Sequence, residues 1–421
     1  MEISMRQNLI LLTKSYPFDR GEEFIENEMP VLSENFGRVV VLATQTEDGP
    51  KLTRALPENA AAFSVPASQI RSGLPFAAAK FFFAGGREVR LDARERGAVG
   101  RSLKKRLYEA YFLAKSETIA RECAAVLSGC GFDGSGGTVF YSYWFHDTAL
   151  AALKLKKEFG AGLGCAVSRA HRYDLYAEKN PAGFLPMRWY LLENLDRVFP
   201  CSEDGASYLK SRYSAYADKI ETSYLGTEDF GAGPVGQDGI FHIVSCCHLS
   251  PVKRVDLLAR SLSLLEKGGR KFFWTHFGGG DGLEDLKKYA AEHLDFMECR
   301  FPGEVKNQEL MEYYRSNPVD CFVNTSSSEG LPVSIMEACS FGIPCVATDV
   351  GGTSEIVRNG ETGFLLPADF SPEDLAGRLS ALADGTEAER KDLRVKCRAL
   401  WKEKFCAEKN YERFAREISG L

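Results

Sequence analysis

Two glutamates, Glu329 and Glu337, are separated by seven residues and flank a Gly-Leu-Pro turn. The apolar run before them predicts a strand over residues 319–324, and the residues after the turn predict a helix that begins at Val333. The unpaired N–H groups and the positive dipole end of a helix N-terminus suit a phosphate. Glu337 would then lie about one turn into the helix, within reach of ribose hydroxyls. Glu329, in the turn, could reach the hydroxyls of a sugar. Two solvated glutamates would have the same spacing, so the surrounding residues must decide.

A site of this kind needs a sheet that brings the ends of several strands together. The chain has the alternation of strands and helices that predicts such a sheet. Residues 8–13 and 38–43 predict strands that flank a helix over residues 22–35, which makes a βαβ unit. The same alternation restarts at residue 240, after a Gly-rich stretch over residues 229–239 that predicts a domain boundary. Ligands bind at the carboxyl ends of strands in such sheets. We therefore expect an α/β protein of two doubly wound domains with a ligand cleft between them.

The composition is that of a globular protein and excludes several classes. The chain has 421 residues, more than one hydrophobic core supports, with 44% apolar and 26% charged residues. Its net charge of −6 argues against nucleic acid as a partner. The 12 cysteines form neither a C-x-x-C pair nor a zinc-type cluster, so we expect reduced core cysteines and no metal. The apolar run over residues 9–12 is too short for a signal peptide, which predicts a cytoplasmic protein.

The residues around the two glutamates resemble a known family. The segment over residues 326–338, SSSEGLPVSIMEA, and the segment over residues 342–352, GIPCVATDVGG, resemble the donor site of the retaining family 4 glycosyltransferases with the GT-B fold. The resemblance is strongest over residues 240–367. It implies two Rossmann-like domains that face each other across a cleft, with a C-terminal helix that crosses back to the first domain. We place the acceptor-binding domain at 1–232, the nucleotide-sugar domain at 233–400 and the returning helix at 401–421.

The resemblance also implies roles for single residues. It assigns Glu329 to the donor sugar, Glu337 to the ribose, and Lys253 to the diphosphate. Many family members have an arginine where this chain has His248. A neutral imidazole carries less charge than a guanidinium, so either His248 is protonated or another cation such as Arg254 compensates. The backbone contacts to the donor would come from Gly21, Gly303, Val305, Gly330, Leu331 and Val333.

The first half of the chain carries further candidates at predicted strand ends. His171, which follows a strand over residues 165–168, is similar in position to the family's histidine near the donor sugar, so Glu329, Lys253 and His171 form the predicted catalytic set. A structural histidine at a strand end is the alternative. The predicted acceptor side consists of Tyr143, His146, Arg172 and Asp174, although core packing explains the aromatic residues equally well.

A basic segment over residues 68–115 interrupts the otherwise acidic chain. Four phenylalanines lie among its cations, and only four acidic residues oppose them. One interpretation is a solvated helical hairpin with a buried aromatic face. The other is a surface that rests on anionic lipid headgroups, which would make the protein peripheral on the inner face of the membrane. The cations are Arg71, Lys80, Arg87, Arg90, Arg94, Arg96, Arg101, Lys104, Lys105 and Arg106.

The predicted reaction moves a sugar from a nucleotide-diphosphate donor, such as a UDP-sugar, to a hydroxyl of a glycan or polyprenyl-linked acceptor. Catalysis would come mainly from charge stabilisation at the leaving diphosphate. The resemblance implies retention of anomeric configuration and a role in cell-surface polysaccharide biosynthesis, with no cofactor or metal. Two alternatives stay open: a nucleotide-sugar epimerase of the same fold, and a non-catalytic protein that binds sugar nucleotides.

Overall fold

The structure is a computed structural model that describes residues 7–84, 93–134, 137–160, 164–236, 238–265 and 270–421. The chain divides into two compact units. The first unit contains the residues up to Tyr224 together with Glu408–Leu421, and the second contains Leu225–Ala407. Each unit is built on one six-stranded sheet in which the paired strands are parallel. This confirms the predicted α/β class.

The sheet of the first unit has the order β3-β2-β1-β4-β5-β6. Successive strands are added outward on one side of β1 as far as β3 and then on its other side from β4, so a topological switch point lies between β1 and β4. Alternate residues of the central strands enter two separate apolar clusters, because helices cover both faces of the sheet. The elements are β1 (Asn8–Thr13), α1 (Ile25–Asn35), β2 (Arg38–Thr46), β3 (Ala60–Pro66), α2 (Ala67–Ser72), α3 (Leu74–Ala84), α4 (Ala93–Val99), α5 (Leu103–Gly129), β4 (Thr138–Ser142), α6 (Asp147–Phe159), β5 (Gly164–Ala170), α7 (Arg172–Leu175), α8 (Arg188–Asn194), β6 (Arg197–Pro200) and α9 (Glu203–Arg212).

The second unit repeats this topology, with the order β12-β11-β10-β7-β8-β9 and a switch point between β7 and β10. Its elements are β7 (Ile240–Cys246), α10 (Val255–Ser263), β8 (Lys271–Phe277), α11 (Leu283–His293), β9 (Glu298–Gly303), α12 (Asn307–Ser316), β10 (Cys321–Asn324), α13 (Val333–Ser340), β11 (Cys345–Thr348), α14 (Thr353–Ile356), β12 (Gly363–Leu366), α15 (Pro372–Asp384) and α16 (Glu387–Lys404). The predicted strand and helix on either side of Glu329 are both present.

The final helix, α17 (Ala407–Ser419), returns to the first unit. The ring of Phe414 lies 5.2 Å from that of Tyr141 on β4 and 5.1 Å from that of Phe199 on β6, measured between centroids. The boundaries nevertheless differ from those predicted at 232/233 and 400/401. Thr227 forms a β-bridge with Cys406, and the Trp401 indole donates a 2.7 Å hydrogen bond to the Thr227 hydroxyl. These contacts place both crossing segments in the second unit up to Ala407.

The basic segment folds into α2–α5, and its aromatic side chains divide between the core and the surface. Phe81 packs against the core of the first unit, whereas Phe76 and Phe83 are 83% and 84% exposed. A hairpin with a fully buried aromatic face is therefore wrong for the described part. Arg87 and Arg90 lie outside the described residues. Across the described ranges, no helix has both the length and the apolar composition that crossing a bilayer requires.

Candidate functional site

The candidate site in the second unit lies where β7 and β10 end, on the two sides of its switch point. Lys253 lies in the segment between β7 and α10, and Glu329 in the turn between β10 and α13. The ammonium of Lys253 is 2.7 Å from Oε1 of Glu329, and the Asn324 amide donates to the same oxygen at 3.3 Å. The structure therefore brings together the cation predicted for the diphosphate and the carboxylate predicted for the sugar.

Glu337 is held by a residue that the sequence did not single out. The side-chain amide of Asn307, at the start of α12, donates a 2.6 Å hydrogen bond to Oε1 of Glu337. Burial raises the pKa of Glu337 to about 7, while the hydrogen bond from Asn307 acts in the opposite direction. The sequence did offer a signal for Asn307: it is a polar residue that begins a helix soon after the predicted Gly303–Val305 loop.

The glycines of this edge allow loops to approach one another. A Cβ on Gly278 would lie 1.9 Å from the carbonyl oxygen of Cys247, and one on Gly351 would lie 2.2 Å from that of Glu329. The N–H of Gly278 donates to the carbonyl of Gly303, which has a φ of +79°. Only glycine fits such contacts without displacing the neighbouring backbone. The predicted Gly303 thus shapes the loop that leads into Val305.

The turn after Glu329 is fixed from the other side by the Gly351-Gly352 pair. Gly352 donates its N–H to the carbonyl of Gly330 at 2.7 Å. The first turn of α13 closes when Ile335 donates to the carbonyl of Pro332. The amides of Leu331 and Val333 precede that bond, at the helix end where N–H groups have no intrahelical partner. Their position fits the predicted phosphate contact.

Arg254, one of the alternatives offered for the missing arginine, has its side chain engaged by the protein. Its guanidinium donates to the carbonyl oxygens of Thr325, Ser326 and Ala368, and to the hydroxyl of Thr348. A guanidinium has five N–H donors, and these bonds direct them into the protein. Arg254 has a φ of +49° and caps α10, which turns its side chain toward the β10 end. Arg254 therefore braces the turn that carries Glu329.

His248 is exposed at the end of β7. A Cβ on Gly280 would lie 3.2 Å from its imidazole Cε1, so the ring rests against the glycine turn that follows β8. This position fits the expected diphosphate contact, and Lys253 lies in the same connection. In the part of the chain that the structure describes, no group of three or more His, Cys, Asp or Glu side chains could hold a metal ion.

The first unit gathers a second set of polar and aromatic residues at its own switch point. His171 follows β5 and is enclosed by the rings of Phe24, Tyr143 and Trp144, with centroids 6.4, 4.9 and 4.7 Å away. Burial and the nearby charge of Arg169 lower the pKa of His171 to about 3, so its ring is neutral. Its Nε2 has no hydrogen-bond partner among the described residues.

The predicted acceptor residues differ in what they can contact. Tyr143 and Asp174 are completely buried, which contradicts a direct contact with an acceptor. The Asp174 carboxylate instead accepts hydrogen bonds from the backbone N–H groups of Phe145 and His171, at 2.7 and 2.6 Å. Burial raises the pKa of Asp174 to about 7. Arg172, on the first turn of α7, is partly exposed.

His146 connects the same edge to the long helix α5. Its Nε2 lies 3.0 Å from the hydroxyl of Tyr108, and its Nδ1 lies 3.5 Å from Oδ1 of Asp147. Lys115 of α5 pairs with the other oxygen of Asp147 at 2.6 Å. Burial lowers the pKa of His146. The imidazole is thus a hydrogen-bonding group held in one orientation.

Gly21 lies in the loop after β1, where the backbone amides already donate hydrogen bonds to the carboxylate of Glu22. Glu22 accepts hydrogen bonds from the backbone N–H groups of Lys14, Ser15 and Tyr16 at 2.7–3.2 Å. The Trp144 indole donates to its other oxygen at 2.5 Å. The Gly21 N–H donates to Glu23. A donor phosphate at Gly21 stays a prediction, and in this structure Glu22 fills the place where an anion would bind.

The sequence analysis also missed a buried ion pair in the first unit. Arg169 and Glu28 are completely buried, with Nε and Oε2 3.3 Å apart. The Arg169 guanidinium also donates to the carbonyl of Ser223 and lies 4.0 Å from the ring of Phe414. Arg169 therefore links the segment that contains Ser223 to the returning helix α17. The position of Arg169 within the otherwise apolar strand β5 could have indicated a buried ion pair.

Comparison with known proteins finds a family match within the second unit. Residues 237–398 match the family described as Glycosyl transferases group 1. The D-inositol 3-phosphate glycosyltransferase of Kribbella flavida is 30% identical over 213 residues, which cover 46% of this chain and 49% of that protein. The O-antigen biosynthesis glycosyltransferase WbnH of Escherichia coli is 34% identical over 143 residues, covering 33% of this chain and 36% of that protein. The match therefore spans half or less of these relatives.

Among solved structures, HepE of Anabaena in complex with UDP-glucose is similar along almost the whole chain. The TM-score is 0.63, the sequence identity is 14%, and the alignment covers 98% of this chain and 100% of that one. At this identity the likeness establishes the fold alone, and the fold is GT-B. The family match itself is confined to residues 237–398, within the second unit.

Proposed function

We propose that this protein is a retaining glycosyltransferase that moves a sugar from a UDP-sugar to a hydroxyl of a glycan or lipid-linked acceptor in surface polysaccharide biosynthesis. The observation that carries the proposal is a pair of contacts in the second unit, the Lys253–Glu329 ion pair and the Asn307–Glu337 hydrogen bond. These are a cation, a carboxylate and an amide–carboxylate pair at a strand-end crevice. They match what a diphosphate, a sugar and a ribose require.

The relatives support the same class of donor and product. HepE was crystallised with UDP-glucose, and WbnH is named for O-antigen biosynthesis. The UDP-sugar and the polysaccharide product are taken over from these proteins as part of the proposal. The match of residues 237–398 to the Glycosyl transferases group 1 family supports transfer over the epimerase alternative.

The chemistry follows from the charge that develops at the leaving group. As the bond between the anomeric carbon and the diphosphate breaks, negative charge grows on the phosphate oxygens. Lys253 and the N-terminus of α13 would stabilise that charge, since both are fixed by the fold before the reaction. On donor binding, Lys253 would exchange its ion pair with Glu329 for the diphosphate. Glu329 would then be free to bind the sugar hydroxyls, with the acceptor attacking from the face that the diphosphate leaves. No metal or cofactor is part of this proposal.

A thermal-shift panel of UDP-, GDP- and ADP-sugars tests the donor first. Ligand that binds the native state raises the melting temperature, and we expect the UDP-sugars to do so. Lys253→Met should abolish the shift, because the diphosphate loses its cation. Lys288→Met, an exposed lysine on α11, is the matched control and should behave as the parent does. An equal shift in Lys253→Met would contradict the assignment.

Turnover separates the transferase from the two alternatives. We expect free UDP to appear with a UDP-sugar and an acceptor, and only slowly without the acceptor. Interconversion of sugars without an acceptor would favour the epimerase. Tight donor binding with no turnover on any acceptor would favour the non-catalytic binding protein.

We also propose that α3 and α5 rest on an anionic membrane surface on the cytoplasmic side. The two helices pack against each other. Phe76 and Phe83 project from α3, and the apolar residues Leu103 and Leu107 are exposed on α5. The acidic residues of the segment that the structure describes, Glu95 and Glu109, are buried. Within residues 68–115, the described exposed charges are therefore basic, which is complementary to anionic headgroups.

Sedimentation with liposomes tests this surface. We expect pelleting with phosphatidylglycerol vesicles and little with phosphatidylcholine vesicles. The double substitution Phe76→Ser and Phe83→Ser should reduce it, as should neutralising Arg101, Lys104, Lys105 and Arg106. Val395→Ser removes an exposed apolar side chain from α16 and serves as the control. Pelleting that is independent of lipid charge, or unchanged in the variants, would overturn the proposal.

A further inference from the structure

A lysine at the switch point of the first unit has an unusual environment. Lys14 directly follows β1, and Trp144 lies just beyond the end of the neighbouring strand β4. The Lys14 ammonium lies 4.5 Å from the centre of the Trp144 ring and 4.0 Å from the centre of the Tyr173 ring. Aromatic faces attract a cation at these distances. The two rings thus hold the ammonium at the carboxyl edge of the sheet, where α/β sheets bind ligands.

The Lys14 ammonium makes no hydrogen bond or ion pair with any residue in the described ranges. An ammonium has three N–H donors, and ring faces do not replace hydrogen-bond acceptors for all of them. Burial lowers the pKa of Lys14, while the carboxylates of Asp147, Asp174 and Glu22 raise it. The side chain is therefore partly removed from water without an oxygen of the protein to receive its protons.

The three nearby carboxylates are occupied by other donors. Glu22 accepts the backbone amides at the end of β1 and the Trp144 indole. Asp147 pairs with Lys115 at 2.6 Å. Asp174 accepts the amides of Phe145 and His171. Each carboxylate is fixed by its own partners, so an acceptor for Lys14 comes from outside the described residues, from solvent or from a ligand that displaces solvent.

We propose that Lys14, Trp144 and Tyr173 form a subsite for an anionic group of the acceptor, either the carboxylate of an acidic sugar or a phosphate. This inference rests on the proposed function and specifies its acceptor as negatively charged. A carboxylate or phosphate oxygen supplies the strong acceptor that an ammonium without one requires. Tyr173 is 36% exposed and Trp144 is partly exposed, so both rings can also contact the apolar face of a sugar.

The geometry favours an anion over a neutral sugar at this subsite. A hydroxyl could accept one hydrogen bond, but it would place no opposite charge at hydrogen-bonding distance from the ammonium, where water is partly excluded. Lys14 is also bordered by Lys115, which already has Asp147 as its partner. An added anion would therefore meet one positive charge that has no ion-pair partner among the described residues. Its place next to Trp144 would orient the sugar ring that carries it.

Direct binding measurements on the full chain test the proposal. Titration calorimetry would compare methyl β-D-glucuronide, glycerol 1-phosphate and the neutral methyl β-D-glucoside. We expect at least one anionic probe to bind about tenfold more tightly than the glucoside, because a charge-assisted hydrogen bond is roughly twice as strong as a neutral one. Preference for the glucuronide identifies an acidic sugar, and preference for the phosphate identifies a phosphorylated acceptor.

Lys14→Met and Lys14→Gln should remove that preference while leaving the binding of the glucoside unchanged. Lys157→Met, on the exposed side of α6, is the control and should retain it. Circular dichroism would establish that the variants are folded. The proposal is overturned if neither anionic probe binds better than the glucoside, or if both Lys14 variants keep the preference.

A parallel titration with UDP separates this inference from the proposed function. UDP binding should be lost in Lys253→Met and kept in both Lys14 variants. Equal loss of UDP binding in the Lys14 variants would assign Lys14 to the donor and overturn the acceptor subsite. Absence of UDP binding in the parent protein would instead count against the proposed donor, whatever the probes do at Lys14.

Discussion

The edges where the strands of the two sheets end carry similar polar residues, but the residues have different kinds of partner. In the first unit, Glu22 accepts hydrogen bonds from three consecutive backbone amides. In the second unit, the carboxylates of Glu329 and Glu337 contact the side chains of Lys253, Asn324 and Asn307. Backbone amides at a strand end are fixed by the sheet, whereas a lysine or asparagine side chain can turn toward a ligand.

This difference separates a structural carboxylate from one that is available to a ligand. Glu22 completes the loop after β1, and removing it would leave buried donors without a partner. Glu329 forms a partly exposed ion pair, and such pairs add little to stability. Residue type and position at a strand end are alike in the two cases, so the kind of partner decides the role.

The largest expected effects come from one matched pair of substitutions, Glu22→Gln and Glu329→Gln. Glu22→Gln should lower the free energy of unfolding by about 2–3 kcal/mol, because a carboxamide cannot accept all of the hydrogen bonds that the carboxylate accepts. Glu329→Gln should change it by less than about 0.5 kcal/mol, yet lower kcat/KM by roughly 10³-fold through lost charge stabilisation. Urea unfolding and UDP release measure the two effects. The comparison fails if the two variants lose similar stability.

The next effect concerns the pH dependence of stability at Glu337. Its pKa lies near 7 in the folded protein because of burial, above the ordinary value of 4.5. The folded state therefore keeps a proton that the unfolded state releases. The resulting stability is complete below about pH 4.5 and is lost as the pH rises through about 7, by up to about 3 kcal/mol.

Glu337→Gln should remove this part of the pH dependence, since the carboxamide does not titrate. Chemical denaturation of the parent protein and the variant at several values between pH 4.5 and 8 provides the measurement. The difference in free energy of unfolding between the two should change across this range. A constant difference would mean that Glu337 has an ordinary pKa in the folded protein.

The smallest expected effect tests the exposed His248. His248→Arg introduces a charge that is permanent, and a guanidinium can form two parallel hydrogen bonds to a phosphate. UDP should bind roughly tenfold more tightly, which corresponds to about 1.4 kcal/mol. Calorimetric titration of UDP into the parent protein and into the variant gives the comparison. Unchanged or weaker binding would indicate that the residue at this position does not contact the diphosphate.

Much of the second unit was predictable because its signals are local. The strand, turn and helix around Glu329 follow from an apolar run, a Gly-Leu-Pro turn and helical spacing. In the first unit, helix α6 and strand β6 were not identified, and the basic segment was described only as a possible hairpin. Phe81 packs inward, whereas Phe76 and Phe83 project outward. Adjacent aromatic residues of the same type carry no pattern that would separate these directions.

The sequence by itself determined the α/β class, the two repeated sheets and the residues that open and close the turn after β10, since these depend on periodicity and on backbone preferences of nearby residues. The tertiary structure decided which side chains are available. Arg254 turns to carbonyls of distant loops, Asp174 is buried where β4 and β5 end, and the Lys14 ammonium lies against two rings with no oxygen partner among the described residues. These outcomes depend on which strands lie side by side, and that is set by packing between segments far apart in the chain.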